Sequence, residues 1–323
     1  RCGPRCARCG AKAPAGASVA RRIPRVPVRH WVLSLPSPQR FEWAGDRAAE
    51  GAIARAFVRA IFGRLRGGAD EKEAGCGAVV AIHRHGSALD LNLHVHALVV
   101  DGVFCRDGEN ARFRAHSLDQ ADLAAVAEEV RAALGQVRGA GEKEPSLARL
   151  QRAARRRRVA VRGSEVHARR AGMVCDMAGL RVFAGAPLSA EDRAGLRRIC
   201  DYVTRPASAR LSRGEGNADA LAVPLPPQPD GATHAILEAG EVVGRLAAGM
   251  PEEPAISVRT FGVLAPRAAH EWQLTHGRQL ELPAVGHART SSPPRPRAPR
   301  CRRCDVALEA VAVEDRSDPA TGA

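Results

Sequence analysis

Apolar and polar positions follow two different rhythms along the chain, and the changes of rhythm mark its elements. Val28, Trp31, Val32, Leu33 and Leu35 lie in a short apolar run from Val26 that Pro36 closes, which predicts a buried strand. Beyond Asp46, the apolar residues Ile53, Phe57, Ile61 and Leu65 recur every fourth position on one face. This predicts an Asp46-capped helix running to Arg66 and stopped by Gly67 and Gly68. Gly77 to His83 predicts a second strand, broken by Gly86 and Ser87, and Leu91 to Val100 predicts a third, closed by the turn dipeptide Asp101-Gly102. Val103 to Arg114 reads as the return arm of a hairpin. Ser117-x-x-Gln120 predicts a capping-box start for a helix to Leu134. Ser189-x-x-Asp192 starts another, with Leu196, Ile199 and Val203 as its buried stripe and Pro206 as its end. A strand from Thr233 to Leu237 and a helix from Glu241 to Ala248 follow.

The third strand carries the most suggestive chemistry. Residues two apart on a strand share a face, so His94 and His96 point the same way while Val95 points into the opposite layer. Two neutral imidazoles side by side on a rigid element make half of a divalent-metal site. The plainer alternative is a pair of histidines on a solvated or hydrogen-bonded sheet face. Polar rings on so apolar a strand need partners in either case.

Composition narrows the class. The 323 residues leave room for two or three modest domains, and 45% hydrophobic content supports a core although aromatics are only 3%. The formal charge of +14 points to a polyanion, most plainly nucleic acid. No apolar run is long enough to span a bilayer, and no signal-peptide pattern is seen, which excludes a membrane partner and suggests a cytoplasmic, nucleoid-associated protein. Arg1 in place of Met suggests that the chain begins further upstream. Nine cysteines include the pairs Cys6/Cys9 and Cys301/Cys304, a spacing that suggests structural zinc more than disulfides, with Cys2 as a further candidate ligand.

From Arg138 to Arg170 the chain turns polar and basic, densest at Arg155, Arg156, Arg157 and Arg158. Such a run is either a solvated helix face or a phosphate-binding surface, and the overall charge favours the second. The lone tyrosine, Tyr202, lies on the helix that ends before Pro206, with Arg198 one turn earlier on the same side and Arg197, Arg205 and Arg210 nearby. Residues 283–300 form a Pro/Arg/Ser linker before Cys301. A cation held by His94 and His96 would polarise a scissile phosphate. Tyr202 could then attack phosphorus, leaving a phosphotyrosine and a free hydroxyl on the other DNA end.

The chain resembles the HUH (His-hydrophobe-His) rolling-circle transposases of bacterial insertion sequences, the IS-ninety-one group. The resemblance rests on Val26-Pro-Val-Arg-His-Trp-Val-Leu-Ser-Leu-Pro36, on Gly86-Ser-Ala-Leu-Asp-Leu-Asn-Leu-His-Val-His96 continuing to Phe104, and on Leu196-Arg-Arg-Ile-Cys-Asp-Tyr202 before Arg205-Pro206. Asp230 to His234, Arg245 to Ala248 and Gly262 to Pro266 are weaker matches, and both cysteine pairs fall where the group carries zinc-ribbon cysteines.

The resemblance implies an α+β fold: an antiparallel sheet bearing His-x-His with flanking helices, and small zinc-ribbon-like termini. It implies a partial zinc-binding knuckle over 1–25, a catalytic domain over 26–265 with the basic insertion around 138–170, and a linker with a Cys-x-x-Cys tail over 266–323. It implies Mg2+ or Mn2+ at His94 and His96, Zn2+ at Cys6, Cys9, Cys301 and Cys304, and Tyr202 as nucleophile. The DNA contacts would come from Arg155, Arg156, Arg157, Arg158, Arg198 and Arg205, and the partner would be the single-stranded ends of the element. Arg198 occupies the position of a second tyrosine, so the chain would be of the one-tyrosine kind.

Several positions depart from the pattern. Phe183 stands where the group has a histidine, Arg197 and Asp201 reverse an acidic-then-basic order, Val223 to Pro229 lack a basic-aromatic stretch, and Thr260-Phe261 replace Tyr-His. The pattern is that of a divergent or decaying copy. The rival functions are a replication initiator or relaxase of the same class, a catalytically impaired DNA-binding remnant, and a metallohydrolase that would need later ligands such as His167 or His234.

Overall fold

The structure, a computed structural model, describes residues 15–67, 69–70, 73–107, 110–137, 145–154, 161–162, 172–213, 220–225, 232–250 and 258–272. Cys6, Cys9, Arg155, Arg156, Arg157, Arg158, His167, Cys301 and Cys304 lie outside the described residues. The elements in chain order are α1 (Ala15–Arg22), β1 (Val28–Ser34), α2 (Ser37–Glu42), α3 (Arg47–Arg66), β2 (Ala74–Gly75), β3 (Gly77–His85), β4 (Leu91–Val100), β5 (Gly102–Asp107), β6 (Asn110–Ala115) and α4 (Gln120–Leu134). Then come α5 (Pro145–Ala154), β7 (Val161–Arg162), β8 (Gly172–Met177), β9 (Leu180–Gly185), α6 (Arg193–Val203), β10 (Ser212–Arg213), β11 (Ala220–Pro224), β12 (Ala232–Glu238), α7 (Ala239–Ala248), β13 (Val258–Gly262) and α8 (Pro266–Glu271).

The fold is a mixed α+β architecture built on an antiparallel sheet. That sheet has the strand order β13-β3-β4-β1-β9-β8. Its centre is β4, which pairs with β3 on one side and β1 on the other, so it is buried by neighbours in the plane and by helices above and below. One face carries Trp31, Leu33, Leu35, Val80, Ile82, Leu93, Val95, Ala97, Val182 and Ala184 against α3 and α4. The other carries Val28, Val79, Ala81, Leu98 and Val100 against α1 and α6.

Local chemistry explains where the helices begin and end. Asp46 accepts hydrogen bonds from the Ala48 and Ala49 amides at 2.9 and 3.0 Å, which satisfies donors that an α-helix leaves orphaned. Gly67 ends α3 in the left-handed region at φ 59°, where a side chain would be strained. The expected Ser117 start of α4 is corrected to Asp119, which forms the capping box with Asp122; the Asp119 carboxylate, two residues on, is the acceptor that meets the N3 amide. The Ser189 start of α6 is likewise corrected to Asp192, which caps the Gly195 amide at 2.8 Å.

Val103 to Arg114 does not return along the histidine strand. It folds as its own hairpin, β5 with β6, which joins β2 in a separate three-stranded sheet. Gly102 makes the turn away possible, because a Cβ there would overlap the Arg114 carbonyl oxygen. Two buried ion pairs fix the surrounding layers. Arg29 forms a two-pronged pair with Asp101 at 2.8 Å and donates to the Gly185 carbonyl, tying β1 to the end of β4 and to β9. Arg84 on β3 does the same with Glu50 on α3.

Several elements were not foreseen: α1 within residues 1–25, the β8/β9 hairpin, and the edge strand β13. The strand and helix read as Thr233–Leu237 and Glu241–Ala248 are present as β12 and α7. A second sheet, β10-β11-β12-β7, packs its own core of Val223, Leu225, Ala235, Leu237 and Val242 around Ala88 and Leu89. The turn joining β3 to β4 is thereby anchored in that core, with Leu89 at φ 57° and no exposed surface.

Candidate metal centre

Alternation along β4 sends Leu91, Leu93 and Val95 into the α3/α4 core and turns Asn92, His94 and His96 to the opposite face. The cross-strand register then decides their neighbours. His94 lies opposite His83 on β3 and Ser34 on β1, while His96 lies opposite Ala81 and Val32. The His94 and His96 rings stand 5.0 Å apart, His83 and His94 5.3 Å, and His83 and His96 4.5 Å, centroid to centroid. One nitrogen of each of the three lies within 4.8 Å of the others, and this group can hold a metal ion. His96 is buried and the other two are half-buried. Bonds of roughly 2 Å require nitrogens closer than that outer limit, so binding would draw the three rings together.

The hydrogen bonds around the rings also suit a cation. His94 Nδ1 donates to the Asn92 carbonyl at 2.8 Å, and His83 Nε2 donates to the Val203 carbonyl at 2.7 Å. A carbonyl only accepts, so each bond fixes a tautomer and leaves the lone pair on the other ring nitrogen. Carbonyls that hold a ligand's second nitrogen are the usual outer support of a histidine metal site.

The Val203 carbonyl belongs to the last turn of α6, where helix carbonyls lack internal partners. The same helix carries Tyr202. Its stripe of Leu196, Cys200 and Val203 packs into the core beneath, and half-buried Ile199 and Tyr202 lie against it. Burial among these groups pushes the Cys200 thiol up to about 12, so it is an inert packing group. The Tyr202 ring stands edge-on 5.7 Å from the His96 ring and 6.5 Å from His30. Thus the structure brings Tyr202, His94 and His96 together, with His83 added.

Of the arginines expected near Tyr202, Arg197 is exposed and engaged with Asp201 at 3.1 Å, one turn along the helix. Arg198 is half-buried and Arg205 exposed, on either side of the tyrosine in sequence. Phe183 lies two strands from β4, opposite Val32, and edge-on to His30 at 6.5 Å. Position 183 is therefore outside the three-histidine group. His234 is on β12 in the second sheet, paired across to Pro224, and takes no part in the histidine group.

Two residues of this centre escaped the sequence reading. β3 ends in His83-Arg84-His85, a second His-x-His, of which His83 lies opposite His94 while His85 lies opposite Leu91 and donates to the Arg245 carbonyl. His30 sits in β1 between Arg29 and Trp31. Since Trp31, Leu33 and Leu35 face the α3/α4 core, alternation places His30 on the histidine face.

With this geometry in place, the comparisons decide the family. A family model described as "Putative transposase" matches residues 77–271, more than half of the chain. The chain belongs to this transposase family. The matched segment contains His83, His94, His96 and Tyr202 and stops short of β1. Neither the curated proteins nor the solved structures give a match. Membership in a transposase family makes DNA the partner and strand cleavage or transfer the class of activity. Among the described residues no helix is long and apolar enough to cross a membrane.

Proposed function

We propose that this transposase cleaves and rejoins single-stranded DNA by the HUH route of rolling-circle elements, as a one-tyrosine enzyme of the IS-ninety-one kind. The observation that carries the reading is the Tyr202 ring 5.7 Å from the ring of His96, a member of a three-histidine group that could hold a metal ion. His83, His94 and His96 would hold one divalent cation. When bound, the cation supplies Lewis-acid polarisation of the scissile phosphate and neutralises charge that develops there. An all-imidazole donor set suits Mn2+ better than the oxygen-preferring Mg2+.

The remaining work belongs to the chain. The Tyr202 hydroxyl loses its proton and its oxygen bonds to phosphorus, while the bond from phosphorus to the departing sugar oxygen breaks and that oxygen takes a proton. Arg198 and Arg205, before and after Tyr202 in the chain, would steer the strand's phosphates. Arg155, Arg156, Arg157 and Arg158 would extend that attraction over the backbone, with affinity falling steeply as salt rises. Cys6, Cys9, Cys301 and Cys304 would bind structural zinc, to be read as metal content after purification.

The test uses labelled single-stranded oligonucleotides from the element's ends with Mn2+. The full chain should give a covalent protein–DNA adduct, and Tyr202→Phe, which keeps the ring, should give none while still binding DNA. Equal cleavage by the wild type and Tyr202→Phe would remove the tyrosine from the reaction. DNA binding without cleavage by either would favour the impaired remnant.

A further inference from the structure

His30, at the centre of β1, reaches the histidine group directly through the His96 ring. Its Nε2 lies 2.9 Å from His96 Nδ1, and the two rings are nearly parallel at 14° with centroids 5.1 Å apart. Both side chains are buried, at 4% exposure each. Two imidazole nitrogens at that distance share one proton: one donates and the other accepts. For His96 to offer Nε2 to a cation, its proton must sit on Nδ1. It must then donate to His30, and His30 Nε2 must be the acceptor.

We propose that His30 is a positioning residue for the metal centre: it accepts the His96 Nδ1 proton and so holds His96 in the tautomer and ring orientation that bind a divalent cation. The proposal rests on the reading of His83, His94 and His96 as the cation's ligands. His94 and His83 take the same support from backbone carbonyls. His96 lies mid-strand, where the carbonyls on both sides serve the ladders to β1 and β3. A side-chain acceptor from the neighbouring strand fills the role instead. The placement also explains why His30 is edge-on to both Phe183 and Tyr202, at 6.5 Å each: those rings wall in an imidazole whose own orientation matters.

Outer-shell partners of this type change metal affinity by about 10–100-fold when removed. The experiment measures Mn2+ binding to the full chain without DNA, from the free-Mn2+ paramagnetic resonance signal. His30→Leu fills the site without an acceptor and should weaken Mn2+ by about 10–100-fold. His30→Gln places an amide oxygen where Nε2 stood and should recover most of the loss. His30→Asn keeps an amide but is too short, and should behave like Leu. Far-UV dichroism and a urea melt report folding of each variant, and if His30→Leu does not fold, the Gln and Asn pair carries the comparison. Wild-type affinity in folded His30→Asn or His30→Leu would overturn the proposal, as would a Gln variant no better than Asn. If the wild type and His94→Ala bind Mn2+ equally poorly, the ligand assignment itself fails and His30 falls with it.

Discussion

The two faces of the central sheet are made from the same strands, residue by residue, yet they are built for different ends. On the α3/α4 side Trp31 meets the Phe57 ring edge-on at 6.4 Å within a continuous apolar layer, and Phe57, Ile53 and Ile61 have no exposed surface. On the α6 side the equivalent places are held by His30, His83, His94 and His96, polar rings whose orientations are fixed by hydrogen bonds. The first face gains from every methylene kept from water. The second spends burial on groups that contribute little to stability, which is the usual mark of a working site.

That contrast predicts that stability and metal binding can be separated by substitution. The largest expected effect is on the apolar face: Phe57→Ala should cost about 3–5 kcal/mol in urea unfolding, because it leaves a cavity in a packed layer. Folded Phe57→Ala should bind Mn2+ as the wild type does. A parallel loss of Mn2+ affinity would show that the faces are coupled.

His94→Ala should do the reverse. Without metal its melt should match the wild type closely. With Mn2+ at about a hundred times its Kd the wild type should gain about 2.7 kcal/mol, and His94→Ala should gain nothing. A stabilisation by Mn2+ that survives in His94→Ala would place the ion elsewhere.

Phe183→His sharpens the boundary of the site. The side chain is two strands from β4 and outside the three-histidine group, so Mn2+ affinity should change by less than about threefold, or about 0.6 kcal/mol. A tenfold gain would show that residue 183 reaches the ion.

Another small effect lies on the exposed side of the apolar layer, where Arg64 on α3 meets Asp122 on α4. Burial pushes the Asp122 carboxyl up, but hydrogen bonds from Arg64 and the Asp119 amide together with the Arg64 charge outweigh it and hold it below the usual carboxylate range. A carboxylate with a lowered folded pKa stabilises fully above its unfolded value, and that support is lost as pH falls through the lowered one. Arg64 is largely exposed, so Arg64→Ala should cost less than about 1 kcal/mol at neutral pH. The cost should shrink further in acid, where the wild type loses the same support.

How much of this was legible in the chain follows from which interactions are local. The helix from Asp46 to Gly67 was readable because its cap, its four-residue stripe and its stop are all within one segment. His94 and His96 could be placed on one face because strand alternation is local too. His83 could not, since its pairing with His94 depends on the Gly86–Asp90 turn and on an irregular register between His83 and His85. His30 required knowing that β1 lies beside β4 rather than at an edge. The β8/β9 hairpin was hidden because its inward stripe, Met173, Cys175 and Met177, is short and only half-buried, and the apolar Val174 on the other face is 49% exposed and blurs the alternation.

The bond from His83 to the Val203 carbonyl has a consequence for the working cycle. It ties strand β3 to the carboxyl end of the helix that carries Tyr202, so a ring of the histidine group also acts as a latch on the Tyr202 helix. A movement that draws α6 away from the sheet must release that latch and free the His83 ring. If the histidines hold a cation and Tyr202 attacks DNA, as proposed, thermodynamic reciprocity would apply in both directions: whatever the cation gained from a held His83 ring would return as resistance to α6 leaving, and a DNA strand that pulled Tyr202 outward would loosen the ion by the same factor.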